Sequence, residues 1–420
     1  MDKNIYDNYV TILRHELIPA LGCTEPIAIA LCAAKAKQVL GRMPETVEVR
    51  CSGNIIKNVK GVTVPNSGGM KGIEAAAVLG IIGGNPDGQL EVLKDVTDRD
   101  RVETKKYLKS RPVLTSLESG EENLFIRCSL KAGNESAVVE LKTNHDHISK
   151  IIKNGEVIFE QPDLVTESYG DKSLIDLCGI FEFASTCDLD DIRDVLEQQI
   201  ECNSALAEEG LRGDWGVNAG SICMEIGDSL RIEAAARSAA GSDARMSGCS
   251  LPAVINSGSG NQGITVTMPI VVYEKRNRPD HDKVLRALTL ANLISIHQKK
   301  FIGNLSCYCG ATSAATASVC GIAYLEGASR RAIGGIIENS ICTIGGMVCD
   351  GAKPSCATKI RAAVDNAFFA YDLVKKHEYF MPGEGLMGSN TEQTIRNIGR
   401  MGKIGMASTD VEVLHIMIGK

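Results

Sequence analysis

Six cysteines crowd into a short late stretch of the chain: Cys307, Cys309, Cys320, Cys342, Cys349 and Cys356. The segment Cys349-Asp350-Gly351-Ala352-Lys353-Pro354-Ser355-Cys356 places two thiols around a Gly/Pro break, and Cys307-Tyr308-Cys309 lies upstream, just before a Gly-rich helix start. Loops joined to helix ends can bring three thiolates together and leave a fourth metal position open. Soft sulfur ligands select zinc or iron–sulfur clusters over magnesium or calcium. The spacing is neither the CxxC pair of a zinc ribbon nor the CxxCxxC run of a ferredoxin. Spacing alone therefore leaves a metal site and a group of buried thiols as equal alternatives. Cys320 and Cys342, with small apolar neighbours, read as core.

Other segments carry polar chemistry. Gly22-Cys23-Thr24-Glu25-Pro26 breaks two helical stretches and puts a thiol at a helix start. There the helix dipole favours a thiolate, which can act as base, nucleophile or ligand. A buried cysteine at a helix break is the plainer alternative. Asn256-Ser257-Gly258-Ser259-Gly260-Asn261-Gln262-Gly263 follows an apolar run and offers backbone N–H groups to a carboxylate or phosphate. It lacks the features of a P-loop or a GxGxxG fingerprint. Pro65–Gly72 is a similar loop in which Lys71 could neutralise an anion or stand in solvent. A pyridoxal phosphate Schiff base at Lys71 has no other support. His145-Asp146-His147 ends a strand and is equally a donor pair or a solvated turn.

These groups need elements to hold them. Residues 5–40 read as two helices. Val47, Val49 and Cys51 alternate with Glu48 and Arg50 as a strand, and the alternations at Leu124–Leu130, Val139–Leu141 and Val157–Phe159 continue a sheet. Beyond about residue 165 the pattern turns helical, with segments over 188–210, 282–302, 310–327, 329–345 and 355–377. The expected class is α+β: a mainly all-helical domain over 166–420, a smaller antiparallel-sheet α+β domain over 43–165, and N-terminal helices over 1–42 packing on the helical part.

Composition excludes several functions. The chain of 420 residues has 4% aromatic residues, 42 glycines and a net charge of −7. It offers no basic footprint for nucleic acid and no base-stacking surface. An uninterrupted apolar run of membrane-spanning length is absent, and so is a leader-like N-terminus. The 15 cysteines then imply a reducing, cytoplasmic setting with few disulfides.

Taken together, the segments LIPALGCTEPIAIALCAA (17–34), SGNIIKNVKGVTVPNSGGMKG (52–72), INSGSGNQGI (255–264), LSCYCGA (305–311) and CDGAKPSCATK (349–359) resemble the bacterial and archaeal L-cysteine desulfidases, formerly uncharacterised UPF0597-type proteins. These are related to the iron–sulfur L-serine dehydratases. The resemblance implies a serine dehydratase alpha-like helical catalytic domain. It implies a [4Fe–4S] cluster on three cysteines, with one iron free for substrate. Cys349 and Cys356 are two of the implied ligands. Cys309 fits the pattern LSxxCG for the third, while Cys307 departs from that pattern and keeps the pair open. Cys23 matches the cysteine of the GCTEP motif, the implied proton acceptor. Asn66, Ser67, Lys71, Asn256, Ser257 and Asn261 are the implied substrate-binding residues of the two loops. The implied reaction is non-redox β-elimination of L-cysteine to pyruvate, ammonia and hydrogen sulfide. Alternatives are dehydration of L-serine and a cluster-bearing sensor of cysteine or redox state without turnover. The partner is a small amino acid, with neither nucleic acid nor membrane involved, and a homodimer is an admissible assembly.

Overall fold

The computed structural model describes residues 1–120, 124–161, 169–303 and 305–419, so the boundary expected at residue 165 lies outside the described residues. Helix α1 (Lys3–Glu16) begins where the Asp2 carboxylate accepts from the Asn4 backbone N–H. It buries Tyr9, Ile12 and Leu13, and Tyr9 stacks on Phe183 with ring centroids 5.1 Å apart. Strand β1 (Pro19–Leu21) follows, then α2 (Thr24–Leu40). Helix α2 is apolar on nearly every face and is buried accordingly.

The two N-terminal helices part company. Helix α1 joins the core of the helical region, whereas α2 lies in the core that covers the sheet. The expectation that both pack on the helical part is thus corrected. The reason is α2's apolar circumference, which one contact face cannot bury, so it is sandwiched between the sheet and helix α4 (Ile73–Gly83). A β-carbon on Gly80 would fall 2.3 Å from the Ala30 carbonyl oxygen, so these helices meet backbone to backbone.

The sheet has six strands: β2 (Thr46–Cys51), β3 (Val113–Leu117), β4 (Phe125–Ala132), β5 (Glu135–Lys142), β6 (Ile148–Lys153) and β7 (Glu156–Glu160), in the order β3-β2-β4-β5-β6-β7. It is mixed rather than purely antiparallel, because β2 and β3 run parallel. Helices α3 (Gly53–Lys60), α4 and α5 (Asp98–Ser110) lie between β2 and β3 in sequence and allow that crossover. Val47, Val49 and Cys51 face the core, as do Ile126, Cys128 and Leu130 of β4.

The remainder is helical: α6 (Leu177–Thr186), α7 (Arg193–Arg212), α8 (Ala219–Met224) and α9 (Leu230–Met246), then, after the short strand β8 (Pro252–Val254), α10 (Gly260–Asn277), α11 (His281–Ile302), α12 (Ala311–Leu325), α13 (Arg330–Ile344), α14 (Cys356–Lys375), α15 (Thr391–Arg400) and α16 (Ala407–Ile418). Helix α12, rich in Ala, Ser and Thr, is buried over most of its length and packs against α10, α11, α13 and α14. Such small side chains suit a chain poor in aromatics. The class is α+β and mostly helical. No helix among the described residues is long and apolar enough to cross a membrane.

Candidate active site

Two short antiparallel ladders bring distant motifs together. In the first, β1 pairs with β8, Pro19 opposite Val254 and Leu21 opposite Pro252. This sets the Cys23 turn beside the 256–263 loop, where Thr24 Oγ1 donates to the Gly258 carbonyl at 3.1 Å. In the second, Tyr308 bridges Val348. The Cys349 N–H donates to the Cys307 carbonyl at 2.6 Å, and the Cys309 N–H donates to the Met347 carbonyl at 2.9 Å.

Between the ladders lies a cavity of about 110 Å³. Cys309, Cys349 and Cys356 line it together with Cys23, Thr24, Glu25 and Asn58, and Arg245, Gly258, Ser259, Asn261 and Gln262 are also in its wall. Cys356 packs against the small cluster of Cys23, Val62 and Met246. Cys307 is buried and does not line the cavity. Cys320 and Cys342 lie away from it, Cys320 in the core as its neighbours indicate.

The loop carrying Cys349 is locked by charge. Burial raises the Asp350 pKa, but hydrogen bonds from Lys353 and Lys359 outweigh it and hold the carboxyl down at about 2. Lys359 also donates to the Val348 carbonyl at 2.7 Å. Gly351 has φ +91, and a β-carbon there would fall 2.3 Å from the Lys57 carbonyl oxygen. Only glycine lets the loop lie this close to α3.

The Cys23 turn differs from the sequence expectation. Cys23 does stand at the N-cap of α2. However, burial and the neighbouring Glu25 carboxylate push its thiol pKa well up, with Arg245 acting weakly in the other direction. At rest it is a thiol, and Sγ donates to Glu25 Oε2 at 2.9 Å. The helix dipole loses to burial and an adjacent negative charge. Burial also pushes Glu25 up, but His145, Cys23 and backbone N–H groups hold it below the usual carboxylate range. Asn58 Nδ2 donates to Glu25 Oε1 at 2.8 Å, and His145 Nε2 stands 3.8 Å from the same oxygen, an ion-pair distance.

The implied substrate residues divide. Asn261 is at the cavity, with Oδ1 accepting from Arg245 Nη1 at 3.2 Å. Asn256 is buried beneath it, donating to Asn292 Oδ1 at 2.9 Å and accepting from Ser257 Oγ at 3.0 Å. Asn66, Ser67 and Lys71 do not line the cavity. Asn66 Nδ2 donates to the carbonyls of Leu93 and Lys94 at 2.9 and 3.1 Å, and Ser67 Oγ accepts from the Met70 N–H at 2.9 Å. Lys71 is exposed. The Pro65–Gly72 loop therefore spends its polar groups on its own turn at Ser67 and on the neighbouring 93–101 segment at Asn66.

Sequence reasoning left Glu25, Asn58, Arg245, Gln262 and Lys299 without roles. Glu25 stood inside a quoted motif; Arg245, on the last turn of α9, had no motif around it. Several buried polar atoms here have no hydrogen-bond partner: Asn58 Oδ1, Arg245 Nε, Gln262 Oε1 and Tyr308 Oη. Unsatisfied buried groups gathered at one cavity call for a polar ligand.

The donor set fits a cluster. Burial pushes the Cys309 thiol up to about 12, and Cys349 and Cys356 add to the shift, so the three thiols feel one another's charge. Cationic Lys359 offsets part of it. Lys299, whose pKa burial brings down to about 8, faces Cys349 and Cys309 as a further countercharge. Among the described residues no three His, Cys, Asp or Glu side chains stand close enough to hold a single metal ion.

Residues 87–415 match the family described as the serine dehydratase alpha chain. The whole chain is similar to proteins named only UPF0597 protein. The one from Finegoldia magna is 50% identical over 98% of this chain and 100% of its own length. That from Lachnoclostridium phytofermentans is 46% identical over 99% and 100%. That from Treponema denticola is 42% identical over 100% and 99%.

Proposed function

This chain belongs to the serine dehydratase alpha chain family and, over its full length, to the UPF0597 proteins; from that premise we propose that it is a cytoplasmic [4Fe–4S]-dependent L-cysteine desulfidase. Proteins of the serine dehydratase family are typically iron–sulfur dependent lyases. The observation that carries the finer reading is that the Cys23–Glu25 pair lines the same cavity as Cys309, Cys349 and Cys356. Cys23, Glu25 and Asn58 come from the part of the chain before residue 87, outside the serine dehydratase match.

Cys309, Cys349 and Cys356 would hold the cluster. When bound, it supplies a Lewis acid with an affinity for the substrate's β-sulfur. The chain's own residues do the rest. Arg245, fixed by Asn261, and the backbone of the 258–262 loop orient the α-carboxylate. The Cys23 proton moves to Glu25 Oε2 against the resting acidity order of the pair, an uphill step that forms part of the barrier, and the strongly basic thiolate so formed takes the α-proton. A thiol whose pKa is raised becomes the stronger base once deprotonated. The Cα–H electron pair becomes the Cα=Cβ double bond as the Cβ–S bond breaks, and the sulfur leaves as hydrosulfide. Glu25 then returns its proton to the leaving sulfur or to water. The aminoacrylate product tautomerises to an imine, which water hydrolyses to pyruvate and ammonia, so no net redox change occurs. The small cavity suits a three-carbon amino acid.

The family match over residues 87–415 favours a second reading, dehydration of L-serine. Sulfide and pyruvate release by anaerobic, iron-replete protein given L-cysteine, compared with pyruvate release from L-serine, decides between them. The desulfidase reading expects L-cysteine to be turned over with the higher kcat/KM, and faster turnover of L-serine overturns it.

A further inference from the structure

A second cavity, of about 480 Å³, adjoins the first. Lys299 lines both, and the loop between them is one residue thick: Gly258 faces the inner cavity and Ser257 the outer. Ser257 is buried with φ +51, a conformation disfavoured for a side chain, so the turn is held there by its surroundings. Lys172, Lys300 and Arg396 also line the outer cavity, and among the described residues no acidic side chain does.

Part of this positive charge is answered within the protein: Glu392, Asp176 and Asp171 act on Lys300, and Cys349 and Cys309 on Lys299. Glu16 pairs with Lys172. Lys300 donates to the carbonyls of Lys172 and Ile175 and has no carboxylate bonded to it. Lys300 and Arg396 both sit over the Phe301 ring, at 4.9 and 5.4 Å from its centroid. Lys299 is 4% exposed, and among the described residues its ammonium has neither a hydrogen-bond nor an ion-pair partner. A concave cationic site on a chain of net charge −7 focuses anions. Fixed ammonium and guanidinium groups repel the ammonium of a zwitterionic amino acid, so the site selects carboxylates that lack one.

We infer that the cavity lined by Lys172, Lys299, Lys300 and Arg396 binds small carboxylates without an ammonium group, and that its ligand is the 2-oxo acid product on its way out of the inner cavity. Naming the product rests on the lyase reading; the preference for such an anion does not.

Calorimetric titration of the purified protein with sodium pyruvate tests this. Arg396 is exposed on α15 and makes no hydrogen bond, so Arg396→Gln and Arg396→Glu should fold normally. Pyruvate should bind the wild type, more weakly as salt rises. It should bind Arg396→Gln less tightly and Arg396→Glu at least about tenfold less tightly, the scale of a charged hydrogen bond. L-Alanine, of similar size but zwitterionic, should not compete. Wild-type affinity in Arg396→Glu, or equal competition by L-alanine, overturns the inference. Pyruvate binding that Arg396→Glu abolishes, in a protein that releases pyruvate from neither L-cysteine nor L-serine, upholds the site and overturns the lyase reading alone.

Discussion

Cys23 and Glu25 share one proton across 2.9 Å, with the thiol as the donor. A cysteine at a helix N-cap is ordinarily the simplest route to a thiolate, and here the second residue of the same helix cancels that effect. The pair, rather than either residue, is the titrating unit.

Glu25→Gln keeps the shape and the contact with Asn58 while removing the acceptor. Turnover should fall by about 10²–10⁴-fold, the usual scale for loss of a general base, with bound iron unchanged. Cys23→Ala should do the same and also stop exchange of the α-proton with deuterated solvent. Unchanged exchange and turnover in both variants would return the pair to a packing role.

Cys309→Ser, Cys349→Ser and Cys356→Ser should each lose the brown colour and most bound iron. Cys307→Ser should retain both, because its side chain does not reach the cavity. Iron analysis and visible absorption of anaerobically purified variants check the set. Wild-type iron in Cys349→Ser would refute it.

The Lys57 side chain is 1% exposed and pairs with Asp410 on α16 at 2.5 Å. Asp410→Ala leaves a buried ammonium unpaired and should cost about 3 kcal/mol, towards the low end for such losses because Asp410 is partly exposed. Replacing both partners, Lys57→Met with Asp410→Leu, should recover most of that. Urea unfolding of the three proteins gives the comparison.

His281 is clasped by Glu274 and Glu197 at 2.7 and 2.9 Å, joining α10 to α7, and the Glu274 hydrogen bond leads in raising its pKa. A raised folded-state pKa means that the stabilisation is fully present below the unfolded value of about 6.5. It is lost as pH rises through the higher folded value. The Tm gap between wild type and His281→Gln should therefore be widest near pH 6 and close in alkaline buffer. A gap independent of pH would show that the contact is not ionic.

Much of this site could be read from the residues, for specific reasons. Cys349 and Cys356 flank a Gly/Pro break, which marks a loop though not what it holds, and the helices around them announce themselves by period. The pairing of β1 with β8 could not be read, since three-residue strands carry no alternation. Without that pairing nothing linked Cys23 to Gly258. Asn66 and Ser67 lie away from the cavity, and composition does not tell a loop whose polar groups bond within the fold from one that binds a ligand. Arg245 was invisible because its neighbours on α9 are those of any amphipathic helix. The parallel β2–β3 pair was missed because alternation reports burial, not direction.

The contact between α16 and α3 has a consequence for biosynthesis. Lys57 presents its carbonyl to Gly351 and its ammonium to Asp410, and Leu414 packs on Gly53. The floor of the cavity therefore becomes rigid only after residues 407–418 have been made and have folded back onto α3. A nascent chain on the ribosome has its three cavity cysteines exposed but no closed chamber. On the proposed reading a cluster would have to enter before α16 docks, so a chain truncated before residue 407 should take up iron without closing the chamber.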